Sequence, residues 1–158
     1  MRAILTDIYK KLYKKYGPQH WWPAESRFEV MVGAILVQNT AWTNVEKAIA
    51  NLKAARVLSP KALRRISHQR LALLLRPAVY FNSKSRKLKA FVNYLGDNYD
   101  DNLEQLFSQE FEPLRKELLE VYGIGAETAD DILLYAGAKP VFVIDNYPRR
   151  LFTRLGLK

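Results

Sequence analysis

Apolar residues recur at helical spacing along nearly the whole chain, and this periodicity constrains the fold more than any other feature. Ile4, Leu5, Ile8, Leu12 and Tyr13 fall on one helical face, and Gly17-Pro18 ends that stretch. Ser26 is placed to cap a second helix carrying Phe28, Met31, Val32, Ile35 and Leu36. Helices are expected next over 43–52 and over 59–75, the latter broken near Ser67. Asn82 is a candidate cap for a helix with Leu88, Phe91, Val92 and Leu95 inward, closed by Gly96. The pattern continues over 103–122 with a break near Pro113, and the last helices span 126–135 and 147–155. The one β-like run, Pro140-Val-Phe-Val-Ile144, is too short and isolated for a sheet and reads as a buried extended linker. The fold class is all-α.

A chain of 158 residues with 49% apolar and 26% charged residues can bury a real core. The longest apolar stretch, Val30 to Val37, is far too short for a membrane span. Lys10, Lys11, Lys14 and Lys15 interrupt any signal-peptide pattern, so a cytoplasmic site is expected, nucleoid-associated if the source is prokaryotic. The absence of cysteine excludes disulfides, a thiolate nucleophile, cysteine zinc sites and an iron–sulfur cluster held by this chain. The formal net charge is +9, which suits a polyanionic partner. That charge is segregated. Arg76 to Lys89 carries five cationic residues and no acid, Lys139 to Lys158 carries Asp145 alone against five cations, and the stretch from Asp97 to Glu120 between them is acid-rich. A molecule with one nucleic-acid face is expected to divide its charge this way.

The sharpest local signal is Gly123-Ile-Gly125, with a helix before it and another directly after. Glycine permits a tight turn and close approach of backbone to another surface. Ile124 can anchor the turn, and the amides that follow open a helix, which favours an anion such as a phosphate. The same glycines would serve an ordinary capped helix junction, and the motif alone does not separate the two readings. Further along, Val143-Ile-Asp-Asn146 sets a single carboxylate between an apolar run and a basic helix.

With those blocks together, the chain resembles the helix-hairpin-helix DNA glycosylases of the endonuclease III superfamily. The hairpin is similar at Tyr122-Gly-Ile-Gly-Ala-Glu-Thr-Ala129, the catalytic aspartate segment at Pro140-Val-Phe-Val-Ile-Asp145, and the helix after it at Arg149-Arg-Leu-Phe-Thr-Arg-Leu-Gly156. Ala34-Ile-Leu-Val-Gln-Asn-Thr40 looks like the helix and loop that set a Gln beside the damaged base, and Tyr80-Phe-Asn-Ser-Lys-Ser-Arg86 like the stretch opening the helix before the hairpin. The likeness runs in family order from about Phe28 to Gly156. It implies a six-helix core over 20–138 with the hairpin motif at about 111–136. Residues 1–19 and 139–158 would belong to a second helical domain, for which the family usually has more chain than follows here. A fragment or a shortened relative is therefore expected.

The resemblance implies Asp145 as the catalytic residue. DNA contact falls to Tyr122, Gly123, Ile124, Gly125, Ala126, Glu127 and Thr128 of the hairpin, together with Lys84 and Arg86. Members that also cut the strand carry a lysine two residues after the second glycine, where this chain has Glu127, so no Schiff base can form by that route. His20-Trp-Trp-Pro23 and Gln38-Asn-Thr-Ala-Trp42 are similar to the cluster-free 3-methyladenine glycosylases, which implies a base pocket of Trp21, Trp22 and Trp42 with Gln38 filling or probing the gap. Adjacent Trp21 and Trp22 cannot both point one way, so at least one can be structural. Asp145 can equally serve as a helix cap, and Asp130 and Asp131 are the rival carboxylates, read as structural. No metal site is expected, although the hairpin leaves room for a monovalent cation. The expected activity is monofunctional removal of alkylated purines from duplex DNA by a monomer. The alternatives are a glycosylase for mismatched or oxidised bases and a non-catalytic DNA-binding module.

Overall fold

The computed structural model describes residues 2–157, and its regular structure is helical throughout. In chain order the elements are α1 (Arg2–Tyr16), α2 (Arg27–Leu36), α3 (Trp42–Ala54), α4 (Pro60–Arg65), α5 (His68–Leu74) and a 3₁₀ turn (Arg76–Ala78). Then come α6 (Phe81–Tyr99), α7 (Leu103–Ser108), α8 (Phe111–Glu120), α9 (Ala126–Asp131), a π-helical turn (Ile132–Ala136) and α10 (Asn146–Arg154). No helix among the described residues is long and apolar enough to cross a membrane.

The centre of the molecule is α2. Every residue from Phe28 to Leu36 is buried, because this short helix is apolar all round rather than on one stripe. Three layers close over it: Val45, Ala48, Ile49 and Leu52 of α3; Leu88, Phe91, Val92 and Leu95 of α6; and Ala129, Ile132, Leu133 and Ala136 of α9 and the π turn. The helix starts follow local chemistry. Ser26, Ser59 and Ser67 each accept a backbone N–H of the first turn, and Ser67 marks the expected break between α4 and α5. Lys53 of α3 reaches both Glu25 and the buried Glu29 at 3.0 Å, fastening α3 to the start of α2.

Four local expectations change. Helix α6 is entered from Tyr80 in a left-handed conformation rather than capped by Asn82. It also runs through Gly96 to Tyr99, since the missing side chain at Gly96 makes room for the Arg64 guanidinium, which would lie 2.5 Å from a Cβ there. Pro113 does not break a helix. It sits in the first turn of α8, where its missing N–H has no intrahelical partner to lose, and the break falls instead at Gln109 and Glu110. The run Pro140–Ile144 is a linker as expected, but it is not buried. Val141 packs on the core while Phe142 and Ile144 are exposed, with Phe142 stacked on Phe152 of α10. Helix α10 buries none of its residues, and on α1 Ile4, Leu5, Tyr9, Leu12 and Tyr13 are exposed.

Candidate active site

The loop before α2, the start of α3, and the π turn converge on one side of α2. Trp22 is half-buried, with its ring 5.4 Å from that of Trp42 in an edge-on arrangement and 5.0 Å from that of Tyr135. Gly33 of α2 makes the arrangement fit, since a Cβ there would lie 3.2 Å from Trp22 and 3.5 Å from Trp42. The Trp22 Nε1 hydrogen has no acceptor among the described residues, and nothing in the structure explains it. Trp42 Nε1 donates to Glu46 at 3.1 Å. Trp21 does not join the cluster and is 64% exposed, as the opposed directions of adjacent side chains require.

Tyr135 reaches Trp22 from an unusual backbone. Ile132 to Ala136 form a π turn, closed by Gly137 N–H donating to Ile132 O at 3.0 Å. Such turns are rare and concentrate at functional sites. Tyr135 was not expected beside these tryptophans from the sequence. The adjacent acids of α9 diverge. Asp130 turns toward α8, where Arg115 binds both its oxygens at 2.7 and 3.2 Å. Asp131, 9% exposed, receives no hydrogen bond and no cation among the described residues. Burial, with the nearby charges of Glu127, Asp145 and Asp130, pushes its carboxyl up to about 7. Burial also raises the Tyr135 hydroxyl, helped by the charges of Asp131 and Asp145. Asp145 is partly exposed ahead of α10, and its Oδ1 accepts the Tyr147 N–H at 2.6 Å. It caps the helix, and its charge is felt at Asp131 and Tyr135.

The hairpin lies between α8 and α9. Gly123 has φ +86°, and a Cβ there would fall 2.3 Å from the Lys87 side chain. Gly125 has an ordinary φ and nothing within 4 Å of its missing Cβ. Ile124 is buried as the anchor, while Tyr122, Gly125, Ala126 and Glu127 are exposed and Thr128 is buried. Gln38 belongs to this corner rather than to the aromatic cluster. Its amide nitrogen donates to Gly123 O at 3.0 Å and Thr128 Oγ1 at 2.9 Å, and its oxygen accepts from Lys87. Its head group is thus held at three points beside the hairpin. A monovalent cation at the hairpin would have to share carbonyls already in use, since Val121 O accepts from Ile124 N–H at 3.0 Å and Gly123 O accepts from Gln38. Among the described residues no group of three or more His, Cys, Asp or Glu could hold a metal ion.

Of the two basic residues assigned to DNA, Arg86 is exposed and Lys84 is not. Lys84 is 2% exposed, and its Nζ donates to Ala78 O at 2.5 Å, closing the 3₁₀ turn onto α6. Burial, with the Lys87 charge beside it, lowers its ammonium to about 8. A basic run on an amphipathic helix has some positions that face inward, and Lys84 occupies one of them.

A helical core around a Gly-Ile-Gly hairpin, with an aspartate ahead of the next basic helix, defines a class of DNA repair protein. A family model for HhH-GPD superfamily base excision DNA repair proteins matches residues 32–158. The chain belongs to that superfamily and carries the fold of its DNA glycosylases. It is 47% identical over 156 residues to a Methanocaldococcus jannaschii protein that bears the name of a DNA repair glycosylase, spanning 98% of this chain and 70% of that one. It is 24% identical over 157 residues to endonuclease III of Thermotoga maritima, covering 97% of this chain and 67% of the relative. Among solved structures it superposes on the H. pylori 3-methyladenine DNA glycosylase MagIII bound to 1,N6-ethenoadenine, with a TM-score of 0.85, 32% identity and coverage of 99% of this chain and 74% of that one. An endonuclease III–DNA complex shares the fold at a TM-score of 0.80 and 19% identity, over 99% of this chain and 69% of that one.

Proposed function

We propose that the protein is a monofunctional DNA glycosylase that removes alkylated purines from duplex DNA. The observation that carries this reading is the site itself, in which three aromatic rings gather within electrostatic reach of Asp131 and Asp145, and neither carboxylate is paired to a cation among the described residues. A purine alkylated at N3 or N7 is a cation. Aromatic faces and negative charge attract it, and its glycosidic bond is already weakened. The likeness to a 3-methyladenine glycosylase supports the same substrate class.

In this reading the hairpin amides and exposed Arg86 hold phosphates, the damaged nucleotide leaves the stack, and its base stacks against the cluster of Trp22, Trp42 and Tyr135. Asp145 stabilises the positive charge that develops on the sugar and orients the attacking water, as a carboxylate does in glycoside hydrolysis. Capping α10 fixes its position without using its second oxygen. Glu127 stands where a strand-cleaving enzyme needs an amine. The amine nearest the turn, Lys87, lies across Gly123 and donates to Gln38.

The test is release of free 3-methyladenine and 7-methylguanine from DNA treated with dimethyl sulfate, read by chromatography. Strand breaks should appear only after alkali, and borohydride should trap no adduct with abasic-site DNA. Absence of 3-methyladenine from the supernatant would overturn the substrate assignment, and a trapped adduct would overturn the monofunctional one.

A further inference from the structure

Asp131 has no place in the reaction as described so far, yet it is the most unusual carboxyl in the molecule. It is nine-tenths buried and, among the described residues, accepts no hydrogen bond and has no ion-pair partner, whereas its neighbour Asp130 takes both arms of Arg115. A largely buried carboxylate without a donor is costly unless it stays protonated, and its oxygens still meet solvent, so the group can exchange a proton. Its surroundings are those of the candidate site. Asp145 and Tyr135 lie within electrostatic reach, and Tyr135 touches Trp22, which touches Trp42. The charged groups around it are acidic: Glu127 and Asp130 on its own helix and Asp145 ahead of α10. Arg115 from α8 is committed to Asp130, and Lys87 from α6 to Gln38. Two carboxyls near one reactive bond, one buried and one partly solvated, can divide the tasks of acid and base.

We propose that Asp131 is the proton donor to the departing base, so that the site removes uncharged purine lesions as well as cationic ones. The inference rests on the glycosylase reading above and assigns the second carboxyl of that same site. As water adds to C1′, the C1′–N9 bond breaks and its electron pair moves onto the purine. For a cationic lesion that pair cancels the charge already present, and no acid is needed. For an uncharged lesion the base would leave as an anion. The Asp131 carboxyl instead gives its proton to a purine ring nitrogen and becomes a carboxylate. The attacking water loses a proton to the Asp145 carboxylate, and both groups then re-equilibrate with solvent. The sum is one water consumed, one neutral base and one sugar hemiacetal formed.

The experiment compares single-turnover release of 1,N6-ethenoadenine, which is uncharged, from a defined duplex with release of cationic 3-methyladenine from methylated DNA. Both are measured between pH 5.5 and 8.5, for the parent and for Asp131→Asn. General acid help is worth about 10²–10⁴-fold. The ratio of uncharged to cationic release should therefore fall at least tenfold in the variant. In the parent that ratio should decline as pH rises through about 7, and in the variant the decline should vanish. Circular dichroism of the variant checks that the fold is kept, and Asp131→Glu, which restores a carboxyl, should recover part of the ratio. An unchanged ratio, or a pH dependence that survives in Asp131→Asn, overturns the inference. A parent that releases 3-methyladenine but no ethenoadenine overturns it while the alkylpurine reading stands, and a parent inert on both takes down that reading as well.

Discussion

Asp145 combines two tasks that a single substitution can separate. Asn caps a helix as well as Asp does, so Asp145→Asn should keep the Tyr147 hydrogen bond and the melting temperature. It removes the negative charge beside the sugar, and excision should fall by orders of magnitude while duplex binding persists. Thermal melting and single-turnover excision on the same preparation check both halves. Asp131 makes the opposite kind of contribution to stability. Its carboxyl is held near 7 in the folded chain, against 3.8 for an ordinary one. The folded state therefore binds the extra proton between those values, and the contribution to stability, complete below about 4, is lost as pH rises through 7. Asp131→Asn removes the buried charge. The variant should melt at least about 2 °C above the parent at pH 8, with the difference shrinking toward pH 5. A lower melting temperature at pH 8 would mean that the carboxylate has a stabilising partner in the folded protein.

The hairpin shows how one element divides its glycines between fold and contact. Gly123 needs its positive φ and sits against Lys87, whereas Gly125 meets nothing within the chain. Gly123→Ala should cost about 1–2 kcal/mol and lower the melting temperature by about 2–8 °C. Gly125→Leu should leave the melting temperature within a degree or so and weaken duplex binding for every sequence alike, because phosphate contacts carry no sequence information. Calorimetry and a binding titration on two unrelated duplexes distinguish the two glycines. If Gly125→Leu binds DNA like the parent, the hairpin amides are not the phosphate site. The π turn is the other element that matters. Its extra residue per turn brings Tyr135 against Trp22.

Across the whole molecule, the charge of +9 is spread over segments that the fold draws on unequally. Lys84 and Lys89 spend their ammonium groups on carbonyls of Ala78, Arg64 and Ile66, and burial lowers both from the ordinary lysine value. Arg86 remains exposed, as do Arg149, Arg150 and Arg154. Duplex affinity should still fall at least tenfold between about 50 and 200 mM salt, as displaced counterions require. Fluorescence anisotropy over that range is the measurement, and a flat profile would remove the electrostatic basis of DNA binding. Lys84→Met should leave the salt slope unchanged, since that amine does not face solvent, whereas Arg86→Met should reduce it.

The sequence alone determined the helical class, the order of the helices, the hairpin, the cap at Asp145 and the family, because each rests on local periodicity or on short segments whose chemistry is complete in themselves. Ser26 and Ser67 cap where their spacing says, and Ile124 is buried where two glycines require an anchor. The pocket was legible only in part. Trp22 and Trp42 meet as expected, but Trp21 points away, Gln38 is held at the hairpin and Lys84 lies inside. Tertiary structure alone decided which of the adjacent Asp130 and Asp131 found a guanidinium, and that Tyr135 closes the aromatic cluster. Helical periodicity specifies which face a residue occupies. What that face meets depends on helices remote in the chain, and a π turn shifts the register by an amount that periodicity does not contain.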